Sequence, residues 1–422
     1  MRLETPGDKA AKSVATSTAP ARSRSSSDEV PGPQPHAPWP EDLDQRVRDA
    51  LALPVGGSFT RDMGRVDVAV IGAGVAGLNA ALGAQSVGAR VLVLEAGTTI
   101  GSGATGRNAG ILSAGINMGL ADLPPGSPDR DMWPLTTAEL LGLTAEAGRS
   151  GSLLCASVTG AVSLAETPTA ARHLTREARA RIDMGLRAEM WTADQVAEAT
   201  AGRLNTSRVV EALWLPDEGR IQPLTLLAYL AEKARYVGIS LVGGVRAVSW
   251  EEQSSRTHLS PYWQLHLEGG ETVEARSLLI ATGPTVRPTG RLYALSFRAE
   301  LSEAFPLFWD AAPYTYCDFR PGQGRLTVSG GRYGQPGAAV RDSRYHRRLA
   351  EAARHWLPEL GSTQPVYAWA VDIAVSSDLR PNARRLEGKV PGYAIEGLGA
   401  LGVLPGSILG RRSGERLARE LV

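Results

Sequence analysis

The stretch 66–95 limits what this chain can fold into more than anything else in it. The apolar run Val66-Asp67-Val68-Ala69-Val70-Ile71 leads into Gly72-Ala73-Gly74-Val75-Ala76-Gly77. An alanine-rich segment continues to Val87, and after Gly88 a second apolar run, Arg90-Val91-Leu92-Val93-Leu94, ends on Glu95. Strand, glycine turn, helix, strand and acid form the βαβ context in which GxGxxG acquires meaning. Gly72 permits the tight turn, Gly74 lets a pyrophosphate approach the backbone, and Gly77 lets the helix close on the strand. The helix N-terminus at Val75 and Ala76 offers unpaired N–H groups and a partial positive charge to phosphates. Glu95 follows Gly77 by 18 positions, near the ~20 expected of an acid that holds a ribose hydroxyl, with Ala96 beside it. The pattern predicts a bound dinucleotide.

At 422 residues the chain exceeds one ordinary domain and can bury a sizeable core. Its 45 basic and 44 acidic residues leave a formal charge of +1, so nothing marks nucleic acid as a partner. Two cysteines, Cys155 and Cys317, exclude a disulfide framework and fit a reducing cytoplasm. The six histidines lack metal-ligand spacing, and no metal is expected. No apolar run approaches the ~20 residues of a membrane span.

Residues 1–38 are rich in Ser, Ala, Thr and Pro and read as a disordered tail. Residues 39–61 read as a linker with a short amphipathic helix over 41–53, in which Leu43, Val47, Ala50 and Leu51 share one side. Such a helix is expected to pack on the enzyme rather than on a membrane. A cofactor-binding domain is expected from segments 62–132, 206–290 and 373–422, and a second domain from 133–205 and 291–372. Helices are expected at 175–184, 192–199, 224–235, 341–356 and 406–421, and strands at 240–242 and 245–250. Alternating patterns at 263–267 and 325–330 suit a mainly antiparallel second sheet, with the charged helix 341–356 covering it from outside.

Directly after the second strand comes Gly101-Ser102-Gly103-Ala104-Thr105-Gly106-Arg107-Asn108-Ala109-Gly110. This glycine-dense loop can lie against an extended ligand, with Thr105, Arg107 and Asn108 adding polar groups. Leu278-Leu279-Ile280-Ala281-Thr282-Gly283 is an apolar strand that ends in a small-residue turn, and Gly397-Leu398-Gly399-Ala400-Leu401-Gly402-Val403 precedes the terminal helix. In this order the segments resemble the flavin-dependent amine and amino-acid oxidoreductases, the family of D-amino-acid oxidase, glycine oxidase, sarcosine oxidase and γ-glutamylputrescine oxidase. The likeness is greatest to the last type. It runs from about Asp67 to the end and takes in Ala212-Leu213-Trp214-Leu215-Pro216, Gln222-Pro223, Trp369 and Asp378-Leu379-Arg380-Pro381.

The resemblance implies an α/β fold: a Rossmann-type FAD-binding domain built from discontinuous segments, beside a mainly antiparallel β-sheet substrate domain with helices. It implies FAD contacts at Gly72, Gly74, Val75, Ala76, Gly77, Glu95, Ala96, Gly103, Ala104, Thr105, Arg107, Asn108, Ala109, Gly110, Val245, Ala281, Thr282, Gly283, Gly399, Leu401, Gly402 and Val403. Some relatives attach flavin covalently, through a cysteine near 378 or a histidine in the glycine loop. Here Ala374-Val375-Ser376-Ser377 and Arg107-Asn108 stand instead, so FAD is expected to be non-covalent. The family usually places a polar or basic residue around position 401, where this chain has leucine.

The implied reaction dehydrogenates the C–N bond of an amine or amino acid, with O2 or another acceptor taking the electrons. A substrate carboxylate would be held by a bidentate arginine, because the planar fork matches it. Arg332 is the first candidate, ahead of Arg298, Arg320 and Arg380, with Tyr314, Tyr316 and Tyr333 lining the pocket. A flavin monooxygenase using NAD(P)H would share the fingerprint, and so would a non-catalytic flavin-fold partner in a complex.

Overall fold

The computed structural model describes residues 33–55, 65–254, 260–283, 288–310, 317–337 and 339–421. Its first sheet has eight strands. Val66–Ile71 lies between Thr272–Ile280 and Val91–Leu94, with Ser240–Val242 beyond the latter, all parallel. Gly392–Glu396 adds a further parallel strand on Thr272–Ile280. The central strands are buried on both faces, as parallel strands in α/β proteins are. Val68, Val70, Val91 and Val93 meet the helices Val75–Ser86, Pro223–Tyr236 and Val403–Arg419. Ala69, Ile71, Leu92 and Leu94 meet an antiparallel layer that includes Trp263 and Leu265.

The terminal helix Val403–Arg419 packs on the fingerprint helix Val75–Ser86 through glycine. Gly406, Gly410 and Gly414 recur every four residues and therefore share one face. A Cβ on Gly410 would come within 2.2 Å of the Ala76 carbonyl oxygen, and one on Gly414 within 1.9 Å of that of Ala80. The two backbones approach more closely than any side chain allows.

The second sheet also has eight strands, in the order Tyr367–Ile373, Gly290–Arg298, Arg325–Gly334, Cys317–Gly322, Leu307–Asp310, Ala161–Ala165, Glu211–Leu215, Glu189–Trp191. All its pairings are antiparallel except that of Leu307–Asp310 with Ala161–Ala165. Its outer face carries Tyr293, Leu295, Phe297, Phe308, Phe319 and Val328 beneath Leu349, Ala353 and Trp356 of the helix Asp342–Trp356. The charged helix covers the sheet from outside, as its pattern suggested.

Several sequence expectations change. Tyr262–Leu267 pairs within the first sheet, and Glu211–Leu215, placed by sequence in the cofactor-binding segments, pairs within the second. Alternation shows that a strand is half-buried but not which sheet it joins. The strand expected at 245–250 is Ala247–Gln253, and the terminal helix begins at Val403. The helix expected over 41–53 is a single 3-10 turn, Trp39–Asp42, followed by Gln45–Leu51, and it packs on the enzyme through Val47 and Leu51. Residues 33–38 belong to the fold: Gln34 pairs with the edge strand at Val366 and Ala368, and Ala37 is buried. Residues 1–32 lie outside the described residues.

Candidate functional site

The glycine turn has the geometry its residue types predicted. Gly72 has φ +101°, and a Cβ there would come 2.6 Å from the Ala281 carbonyl oxygen. A Cβ on Gly77 would lie 1.9 Å from the Gly72 oxygen. Gly74 is less crowded: a Cβ there would meet only Thr105 Oγ1, at 3.4 Å. It caps the helix with no side-chain acceptor, so the N–H groups of Ala76 and Gly77 are left for an anion. Glu95 closes the turn: its carboxylate accepts from the N–H of Ala73 at 2.9 Å and of Gly97 at 3.0 Å. The turn after Thr272–Ile280 lies against Gly72, with the Ala281 N–H on the Ile71 oxygen. Val245 is buried and donates to the Glu95 carbonyl. A narrow, glycine-lined backbone cradle with an acid at its edge fits the diphosphate and ribose of a dinucleotide.

The second glycine loop lies beside this cradle. Ala104–Arg107 makes one helical turn, and Thr105 Oγ1 accepts from the Val75 N–H at 3.3 Å. Asn108 clasps the loop, donating to the Thr105 oxygen and accepting from the Gly110 N–H. Three distant side chains then hold its carbonyls. Trp369 Nε1 donates to Arg107 at 2.8 Å, Trp39 Nε1 to Asn108 at 2.8 Å, and Arg320 Nε to Gly110 at 3.1 Å. Burial holds the Arg107 guanidinium below its usual value, against the pull of Asp372. Trp39 and Arg320 also stack, the guanidinium carbon 4.9 Å from the ring centre.

At the start of the terminal helix, Leu401 carries no polar group, but Asn117 brings one from another segment. Its amide oxygen accepts from the N–H groups of Ala400 at 2.9 Å and Leu401 at 3.2 Å, and its amide nitrogen donates to Leu398 at 3.1 Å. The segment carrying Asn117 is itself anchored by buried charges. Glu218 accepts from the Ala114 N–H and Glu177 from that of Ala121, while Arg181 lies between them at 3.0 and 2.9 Å. Burial pushes the Glu218 carboxyl up; it also works against the Arg181 charge, where the two carboxylates outweigh it.

The inner face of the second sheet is apolar at both flanks and polar in the middle. On one flank Ala294, Trp369 and Val371 join the core of the first sheet's helix side. On the other, Ala161, Leu213 and Leu307 pack on Ala170, Leu174 and Ala178 of the helix Pro168–Asp183. Between them Ser296, Thr327, Ser329, Asp318 and Arg320 share the face by register. All but Asp318 are nearly fully buried.

Of the arginine candidates, Arg320 lies on this strip but is committed to the carbonyls of Gly110 and Ile221, and burial beside Arg220 pushes it down to about 10. Arg380 pairs with Asp129, and Arg298 is exposed at a strand end. Tyr333 is exposed as well. The Arg332 side chain, Tyr314 and Tyr316 lie outside the described residues. Among the described residues no cluster could hold a metal, and no helix is long and apolar enough to cross a membrane. The ties through Trp39, Asn117 and Glu218 have no trace in local sequence, whereas the glycine spacing of the terminal helix is legible there.

Comparison with known proteins agrees with this geometry. The family model for FAD dependent oxidoreductases matches residues 67–416. No curated protein matches in sequence. Among solved structures, glycine oxidase from Geobacillus kaustophilus is 23% identical over 84% of this chain and 95% of that one, with a TM-score of 0.67. Iminodiacetate oxidase from Chelativorans sp. BNC1 is 18% identical over 82% and 94%, with a TM-score of 0.64. L-alpha-glycerophosphate oxidase from Mycoplasma pneumoniae, solved with FAD bound, is 13% identical over 85% and 95%, with a TM-score of 0.68. At such identities the likeness is one of fold.

Proposed function

The chain belongs to the family of FAD-dependent oxidoreductases, and from that premise we propose that it dehydrogenates the C–N bond of an amine or amino acid. FAD held in the cradle supplies a two-electron acceptor for the hydride leaving the carbon that bears nitrogen. The chain's own part is to bind and orient. Gly72, Gly74 and the free N–H of Ala76 take the diphosphate, Glu95 the ribose, and the loop 104–110 and the Asn117 clasp hold the remainder. No cysteine or histidine stands at the positions where relatives attach the cofactor, which supports non-covalent binding.

The observation that carries the reading is the polar strip Ser296, Thr327 and Ser329, placed between two apolar flanks on the sheet whose Trp369 and Arg320 grip the glycine loop. Buried hydroxyls there would orient a polar substrate, and the apolar flanks would keep water away. Among the solved relatives, glycine oxidase and iminodiacetate oxidase are named for nitrogen compounds, which favours C–N over C–O oxidation. The test is anaerobic bleaching of the purified flavoprotein by a panel of amines and amino acids, with α-glycerophosphate and NADPH as controls. Bleaching by at least one amine or amino acid is expected. A flavin reduced only by α-glycerophosphate or only by NADPH would overturn the reading.

A further inference from the structure

Asp318 is the one member of the polar strip whose charge is not accounted for. It lies on Cys317–Gly322, opposite Ser329 on one side and Trp309 on the other, on the face that carries Arg320. Each of its neighbours on the strip is used within the protein or is neutral: Arg320 holds Gly110, and Ser296 and Thr327 share a hydrogen bond. The Asp318 carboxylate has no hydrogen-bond or ion-pair partner among the described residues, in contrast to Asp310 at the end of the adjacent strand. Half-buried by area, it lies on the sheet face between the two apolar flanks, where its strip neighbours are nearly fully buried. Burial, with Asp310 close by, pushes its carboxyl up to about 7, as for a charge in a poorly solvated place with no counterion among the described residues.

We propose that the Asp318 carboxylate anchors a cationic group of the substrate, an ammonium separate from the nitrogen whose C–N bond is oxidised. The inference rests on the C–N reading above and narrows it to substrates with a second, non-reacting cationic nitrogen. Two separate groups are required by the chemistry. Hydride leaves a carbon whose nitrogen is neutral and can lend its lone pair, whereas a carboxylate beside that nitrogen would hold it protonated. A buried carboxylate is therefore suited to the distant end of the molecule. A partner for a desolvated charge confers specificity, because the analogue without it leaves the carboxylate unpaired.

The experiment compares the full-length flavoprotein with Asp318→Asn and Asp318→Ser, each first checked for flavin content. The probes are 1,4-diaminobutane, n-butylamine and butyrate, followed anaerobically by calorimetry for binding and by flavin bleaching for reaction. The wild type should bind the diamine at least about tenfold more tightly than butylamine, as for a charge pair in a partly desolvated site. Both variants should lose that preference and gain affinity for butyrate. A diamine preference that is absent from the wild type, or that survives in both variants, would overturn the anchor. So would variants that slow bleaching by both amines equally with binding unchanged, since Asp318 would then act on the reacting nitrogen. Asp318-dependent binding without bleaching would remove the C–N reading and leave the anchor standing.

Discussion

Glu95, which we propose holds the ribose, also shapes the fold. Its two oxygens hold the backbone of Ala73 and Gly97, so the acid shapes the turn it was expected only to line. Glu95→Ala should weaken FAD retention by ~1.5–3 kcal/mol, the worth of a hydrogen bond to a charged group. That is roughly tenfold to a hundred-and-fiftyfold in affinity. Flavin occupancy that dialysis leaves equal to the wild type would show that the acid does not reach the cofactor. Asp318 adds a pH signature. Its folded value is raised to about 7 by burial and by Asp310; burial, with Asp318 close by, in turn raises the Tyr333 phenol. A raised carboxyl gives stability that is present below its unfolded value of ~3.9 and is lost as pH climbs through the folded one. Asp318→Asn, which mimics the protonated form, should gain melting temperature on the wild type as pH rises from about 4 to about 7, with a constant gap above. Parallel melting curves across that range would contradict the burial of this charge.

At the scale of elements, the contact between the terminal and fingerprint helices is set by glycine. Replacing a helical glycine by alanine normally gains about 1 kcal/mol. At Gly414 the new Cβ would lie 1.9 Å from a backbone oxygen, which cannot rotate aside. Overpacking of this kind costs ~1–3 kcal/mol or more, so the clash outweighs the propensity. Gly414→Ala should lower the melting temperature and FAD retention together, because the fingerprint helix would be displaced. Gly142→Ala is the control: it lies in the helix Met132–Ala147 with nothing within 4 Å of its Cβ, and it should be neutral or stabilising. Equal effects at the two positions would mean that the helices have room to separate.

At the scale of the whole molecule, a residue at the start of the segment that reads as a linker ties distant parts together. Trp39 is 1% exposed, accepts from Gln222 through its carbonyl, donates to Asn108 and stacks beneath Arg320. It thus joins the chain start, the glycine loop and the second sheet. Removing residues 1–32 should leave flavin content unchanged, since the segment has no apolar pattern with which to dock. Removing residues 1–43 also takes away Trp39, and loss of a buried aromatic of this size costs ~3–5 kcal/mol. That shorter chain should purify with little FAD, if it folds. Two truncations with the same flavin content would show that the Trp39 contact is dispensable.

The sequence by itself determined the cofactor cradle, because strand, turn, helix, strand and acid follow one another along the chain. Each requirement, from φ at Gly72 to clearance at Gly77, is met by a residue type at a fixed spacing. Amphipathic helices such as Asp342–Trp356 were legible for the same reason: their period is local. Only the tertiary structure decided which sheet took Glu211–Leu215, that Asn117 would supply the polar group missing at Leu401, and that Trp39, Trp369 and Arg320 would grip the glycine loop. Those contacts join residues tens to hundreds of positions apart, and a single long-range hydrogen bond leaves no period in the chain. The burial of Asp318 without a partner among the described residues is of the same kind, since an aspartate in an alternating strand looks solvated until the strands on both sides are in place.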